Sequence, residues 1–188
     1  MSSVDIYWLP LGAGGRVVHA NGVAYEQVSA WWTRRTPRPL FHSALTVTVD
    51  TDVHVVEMTP AWQHTQPGRG IVARGPVGTR WAGRSRYFRY EVHCWKNGTI
   101  DDVDKAVSSP QHLSTDPGAA ARVVALIHSV PVLVWGRDEL GTGDMWNSNS
   151  VISWVLTRSG VDLTGVHPPN RGRAPGWHAG ILAAQRSP

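Results

Sequence analysis

The segment Trp146-Asn147-Ser148-Asn149-Ser150 holds the densest group of side chains able to do chemistry. Small polar residues stand there directly before an apolar run over 151–156, as they do where a helix begins. A hydroxyl in the first turn of a helix gains from the positive end of the dipole, and the free N–H groups of that turn can hold an oxyanion. Ordinary N-capping accounts for the same residues, because Asn and Ser are favoured caps. A serine nucleophile needs a base, and His42 is the candidate: an imidazole can take a proton at neutral pH, and the small neighbours Ser43 and Ala44 leave room above the ring. The chain has nine histidines, so a surface or satisfied core role competes for each. Glu57 lies in an otherwise apolar run, where a carboxylate needs a partner. It could orient His42, as the third member of a triad does, or pair with Arg80 or Arg89.

These residues need a scaffold, and the pattern around them predicts one. Residues 4–11 read as a short strand that ends in Gly12-Ala13-Gly14-Gly15, a turn. Residues 25–35 carry Tyr25, Val28, Trp31 and Trp32 at helical spacing, and Pro37 and Pro39 stop that helix. Leu45, Val47 and Val49 alternate with Ala44, Thr46 and Thr48, so 41–49 is a strand. A turn at 50–52 returns it as a second strand over 53–58, making a hairpin. Residues 67–83 are rich in glycine and read as a loop with at most a short strand. Residues 87–95 alternate again, with Phe88, Tyr90, Val92 and Cys94 on one face and Arg89, Glu91 and His93 on the other. Cys94 reads as a buried small hydrophobe, and His93, a second-choice histidine, as a solvated strand residue. Asp116-Pro117 opens a helix, a second helix covers 144–156 with Gly160 as its stop, and 167–177 is an irregular loop. The expected architecture is α+β, with one central antiparallel sheet and packed helices in a single domain over 1–188.

Composition narrows the classes. The 188 residues are 41% apolar and 17% charged, with a net charge of +4, which is globular and only mildly basic. Basic residues are scattered, so nucleic acid is not an expected partner, while attraction to an anionic surface stays open. Residues 1–15 lack the basic start and apolar core of a signal peptide, and no apolar run approaches bilayer length, which predicts a cytoplasmic protein without a transmembrane segment. No histidine pair has metal-binding spacing, and neither a metal nor a cofactor is expected. Ten tryptophans are more than a core of this size demands, and some are expected to line a site. Arg173 and Trp177 lie in a loop that either rims a substrate or packs across the sheet.

His42 opening one strand, Val56-Glu57 closing its return and Asn147-Ser148-Asn149-Ser150 opening a later helix together resemble the circularly permuted papain-like enzymes. These include the permuted NlpC-type hydrolases and the lecithin:retinol acyltransferase-like group. The similarity covers mainly 40–60 and 144–156. It implies acyl chemistry on an amide or ester. His42 would take the Ser148 proton and Ser148 would attack the acyl carbonyl. Helix-start N–H groups, with Asn147 or Asn149, would hold the oxyanion, and Trp146, Arg173 and Trp177 would contact a small-molecule, peptide or lipid-type acyl substrate. One departure matters. Ser148 stands where the family has cysteine, and a hydroxyl depends more heavily on its base than a thiol does. Three accounts follow: a working Ser-His enzyme, an inactive relative that binds through a Trp-lined cleft, or a serine substituted by design to trap a substrate.

Overall fold

The computed structural model describes residues 1–11, 34, 36–62 and 70–186. The turn expected at 12–15 and most of the helix expected at 25–35 lie outside them. Among the described residues, six strands form one sheet: β1 Ser3–Pro10, β2 Phe41–Val49, β3 Asp52–Pro60, β4 Ile71–Pro76, β5 Arg89–Lys96 and β6 Gln111–Ser114. Their order is β4-β5-β3-β2-β1-β6, and every pair is antiparallel. The β2–β3 hairpin forms as its alternation predicts, with Val49 opposite Asp52. Its turn carries Asp50 at φ +57°, a left-handed conformation that Asp tolerates. Among the described residues, three α-helices, α1 Pro117–Leu126, α2 Ser148–Arg158 and α3 Trp177–Arg186, join the sheet in an α+β protein.

The helices cover one face of the sheet. Val4, Ile6 and Trp8 of β1, Phe41, Leu45 and Val47 of β2, Val56 and Met58 of β3, and Tyr90 and Val92 of β5 pack with Val123, Val151, Ile152 and Val155 in the main core. The other face holds a smaller cluster of Leu9, Ala44, Val55 and Ile100. Because successive side chains of a strand leave on opposite faces, this division assigns a side of the sheet to every strand residue.

Two boundaries differ from the sequence pattern, one helix was not expected, and the short strand allowed for in the glycine-rich stretch forms. The helix expected from 144 begins at Ser148, because Asn147 is extended (φ −163°, ψ −164°) and caps it. The strand expected from 87 begins at Arg89, since residues 86–88 form a 3-10 turn in which Phe88 is exposed and not aligned with Tyr90. Within the glycine-rich stretch β4 is a six-residue strand on β5. Helix α3 was not expected from the sequence. Its buried face is Ala179, Gly180, Ala183 and Ala184, small residues that allow close approach to α2.

Candidate functional site

Helix α2 is the centre of the molecule, with nine of its eleven residues buried. A helix enclosed this far needs partners for its orphan N–H groups, and the Asn-Ser-Asn-Ser run supplies them. The Asn147 side-chain oxygen accepts from the N–H groups of Asn149 (2.9 Å) and Ser150 (3.3 Å), and its amide donates to the Pro175 carbonyl at 2.8 Å. Ser150 Oγ accepts from the Asn147 N–H at 3.0 Å and lies 2.8 Å from the Gly176 carbonyl, closing a capping box. Asn149 reaches across to the sheet. Its oxygen accepts from Ser43 Oγ at 2.9 Å, and its amide donates to the carbonyls of Phe41 and Pro175, both at 2.9 Å.

Three segments are thereby tied together: β2, the loop before α3, and the start of α2. Gly176 makes the tie possible. Its φ is +87°, and a Cβ there would come 2.3 Å from Asn147 Oδ1. The Phe41 N–H donates to the Arg173 carbonyl and the Arg173 N–H to the Pro39 carbonyl, so this loop packs along the chain entering β2. Trp177 stacks at a tilt on Trp8, with ring centroids 5.3 Å apart, and Trp146 is buried in the main core. Trp146 is thus enclosed by the core where a surface position was expected, and the expected amide donors of Asn147 and Asn149 are occupied by backbone carbonyls.

Ser148 itself is 6% exposed, and among the described residues its hydroxyl has no hydrogen bond. His42 is not its neighbour. Phe41, Leu45 and Val47 face the helices, and Ser43, between them, touches α2. By strand alternation His42 leaves the sheet on the far face, with Ala44 and with its cross-strand partner Leu9. Burial there lowers its pKa from 6.5 to about 4, against a smaller opposing pull from Asp102. A ring of that pKa is neutral and weakly basic at pH 7, poorly matched to proton abstraction. The expected dyad is thus split by the sheet.

The far face carries its own polar group. Glu57 is 3% exposed and stands directly across from His93, which is 1% exposed. His93 Nε2 lies 3.3 Å from Thr59 Oγ1 and 3.7 Å from Glu91 Oε2. Glu91 is bridged in turn by Arg74 at 2.8 Å. His93 is therefore a buried network member and not a solvated strand residue. The arginines considered for Glu57 are engaged elsewhere: Arg80 with Glu139 at 2.8 Å, and Arg89 with the carbonyls of Gly83 and Arg84. Cys94 is half-buried, and burial pushes its thiol up to about 11, which suits a packing residue better than a nucleophile.

The alternation of Leu45 and Val47 already placed His42 on the face opposite theirs. Nothing local indicated that α2 would dock on the Leu45 side. The roles of Ser43 and Thr59 were not apparent from the sequence either, since a lone hydroxyl on a strand has no distinctive local signal. Among the described residues no group of three or more His, Cys, Asp or Glu is placed to hold a metal ion, and no helix is long and apolar enough to cross a membrane. Compared with models of protein families, with curated proteins and with solved structures, the chain gives no match.

Proposed function

We propose that this chain is a non-catalytic binding module with a papain-like arrangement, in which the Asn147–Ser150 run serves as a structural clasp. The observation that carries this reading is the position of His42 on the far face of the sheet from α2, which separates Ser148 from the imidazole expected to serve as its base. Two further facts agree with it. The amides that would hold an oxyanion are spent on the carbonyls of Phe41 and Pro175. The low pKa of His42 makes it a weak base at neutral pH. A serine nucleophile without an adjacent base reacts poorly.

The binding surface proposed here is one that carries exposed tryptophan, in place of the Trp-lined cleft that the papain-like resemblance implies. Trp8, Trp146 and Trp154 belong to the core, whereas Trp62 and Trp81 are exposed. The test is fluorophosphonate labelling of the full chain beside its Ser148→Ala variant, together with turnover of a panel of p-nitrophenyl esters. No Ser148-dependent labelling or turnover is expected. Stoichiometric labelling that disappears in the variant would restore the acyl-hydrolase reading.

A further inference from the structure

We infer that the Trp81–Phe88 segment is a docking surface for an anionic lipid bilayer. This rests on the binding-module reading and names its partner. Between Glu57 and Glu91 the sequence holds six arginines and no Asp, Glu or Lys. Within this stretch Trp81 is 75% exposed, Tyr87 69% and Phe88 52%. Large apolar side chains this exposed, and this close along the chain, mark an interaction surface.

The segment is built to hold them out. Two consecutive 3-10 turns, Ala82–Arg84 and Arg86–Phe88, carry the aromatic residues. Arg89 turns back to the carbonyls of Gly83 and Arg84, and the Val77 N–H donates to the Phe88 carbonyl at 2.8 Å. At the other flank the Ala61 N–H bonds the Arg89 carbonyl at 2.9 Å, bringing exposed Trp62 alongside.

The charges on the surface separate into two sets. Arg74 and Arg80 are neutralised by Glu91 and Glu139. Arg84 and Arg86 are exposed, and among the described residues neither has an ion pair. Amphipathic Trp and Tyr with Phe and two free guanidinium groups match the headgroup region of an anionic leaflet, where apolar insertion and charge attraction act together. Nucleic acid fits less well, because phosphate binding scales with the number of available cations, and among the described residues of this segment only Arg84 and Arg86 are exposed with neither an ion pair nor a backbone partner for the guanidinium. A second copy fits less well too: a two-fold contact puts the same patch on itself and would bring Arg84 and Arg86 against their own equivalents.

The test is sedimentation of the full chain with vesicles of phosphatidylcholine alone and of equal parts phosphatidylcholine and phosphatidylglycerol, at low and high salt. Binding to the anionic vesicles is expected, with weak binding to the zwitterionic ones. Arg84→Gln with Arg86→Gln should lower anionic-vesicle partitioning about thirtyfold, the product of two arginine contributions of ordinary size near such a leaflet. Trp81→Ser with Phe88→Ser should lower it at both salt concentrations. All four sites are exposed, and circular-dichroism melts will show that the variants fold. No vesicle binding, equal binding to both compositions, unaltered binding by the arginine variant, tighter binding to single-stranded RNA, or a dimer dispersed by these substitutions would each overturn the inference. Failure here leaves the non-catalytic reading standing, while Ser148 labelling overturns that reading and removes the module role, with vesicle binding itself read out separately.

Discussion

Replacing Asn149 by alanine separates a structural clasp from an oxyanion hole. The side chain is 2% exposed and makes three hydrogen bonds, to Ser43 Oγ and to the carbonyls of Phe41 and Pro175, each 2.9 Å long. The Pro175 carbonyl keeps a second donor in Asn147 at 2.8 Å. The Phe41 carbonyl and the Ser43 hydroxyl lose their Asn149 partner in a buried setting. A net contribution of about 1 kcal/mol per bond, with a further penalty for buried groups left unpaired, puts the loss near 3 kcal/mol. For a chain of this length that corresponds to a fall in Tm of roughly 6–12 °C. Ser148→Ala removes no hydrogen bond among the described residues and should stay within about 0.5 kcal/mol of the parent. Urea unfolding followed by tryptophan fluorescence and circular dichroism measures both, with an unchanged m-value as the condition for comparing midpoints. If Asn149→Ala costs less than about 1 kcal/mol, its amide is not bound up in the scaffold. The argument against its role at an oxyanion then fails.

Two other expectations follow from the packing and from burial. In Gly180→Ala the new Cβ would meet the Ser150 carbonyl oxygen and Ser153 Oγ, both at 2.1 Å. Helices α2 and α3 must then separate, at a cost of about 1–3 kcal/mol that outweighs the better helix propensity of alanine; a raised Tm would contradict this packing. His42 has a folded pKa of about 4 against 6.5 in the open chain. The unfolded chain therefore binds the extra proton between these values, and stability is full above pH 6.5 and falls as the pH drops towards 4. The shift corresponds to about 3 kcal/mol, trimmed to roughly 2 because the half-buried ring keeps some solvent. Between pH 7 and pH 4 the urea midpoint of the parent should fall further than that of His42→Gln, by an amount equivalent to roughly 2 kcal/mol, because Gln does not titrate; parallel curves would refute the assignment.

Much of the scaffold was legible from local pattern. Alternation marked β2 and β5, because a half-buried strand imposes a two-residue period on its own side chains, while β1 and β3 were read as short strands without it. Asp116 before Pro117 marked the start of α1, and Asp116 does accept from the N–H groups of Gly118 and Ala119. The Asn147–Ser150 run marked a capped helix start, although the helix expected from 144 begins only at Ser148. Helix α3 was not legible, because its buried face is a set of alanines and a glycine whose value lies in how closely α2 approaches. Edge strand β6 is held by pairing with β1 across more than a hundred residues of chain.

The candidate site divides along the same line. The sequence alone determined that His42 and Leu45 occupy opposite faces of one strand, and that Asn147 to Ser150 begin a helix. Only the tertiary structure decided that the helix docks on the Leu45 face. Alternation is set by neighbouring residues, whereas the face a helix covers is set by packing between segments a hundred residues apart. That choice leaves Ser148 on one side of the sheet and His42 on the other.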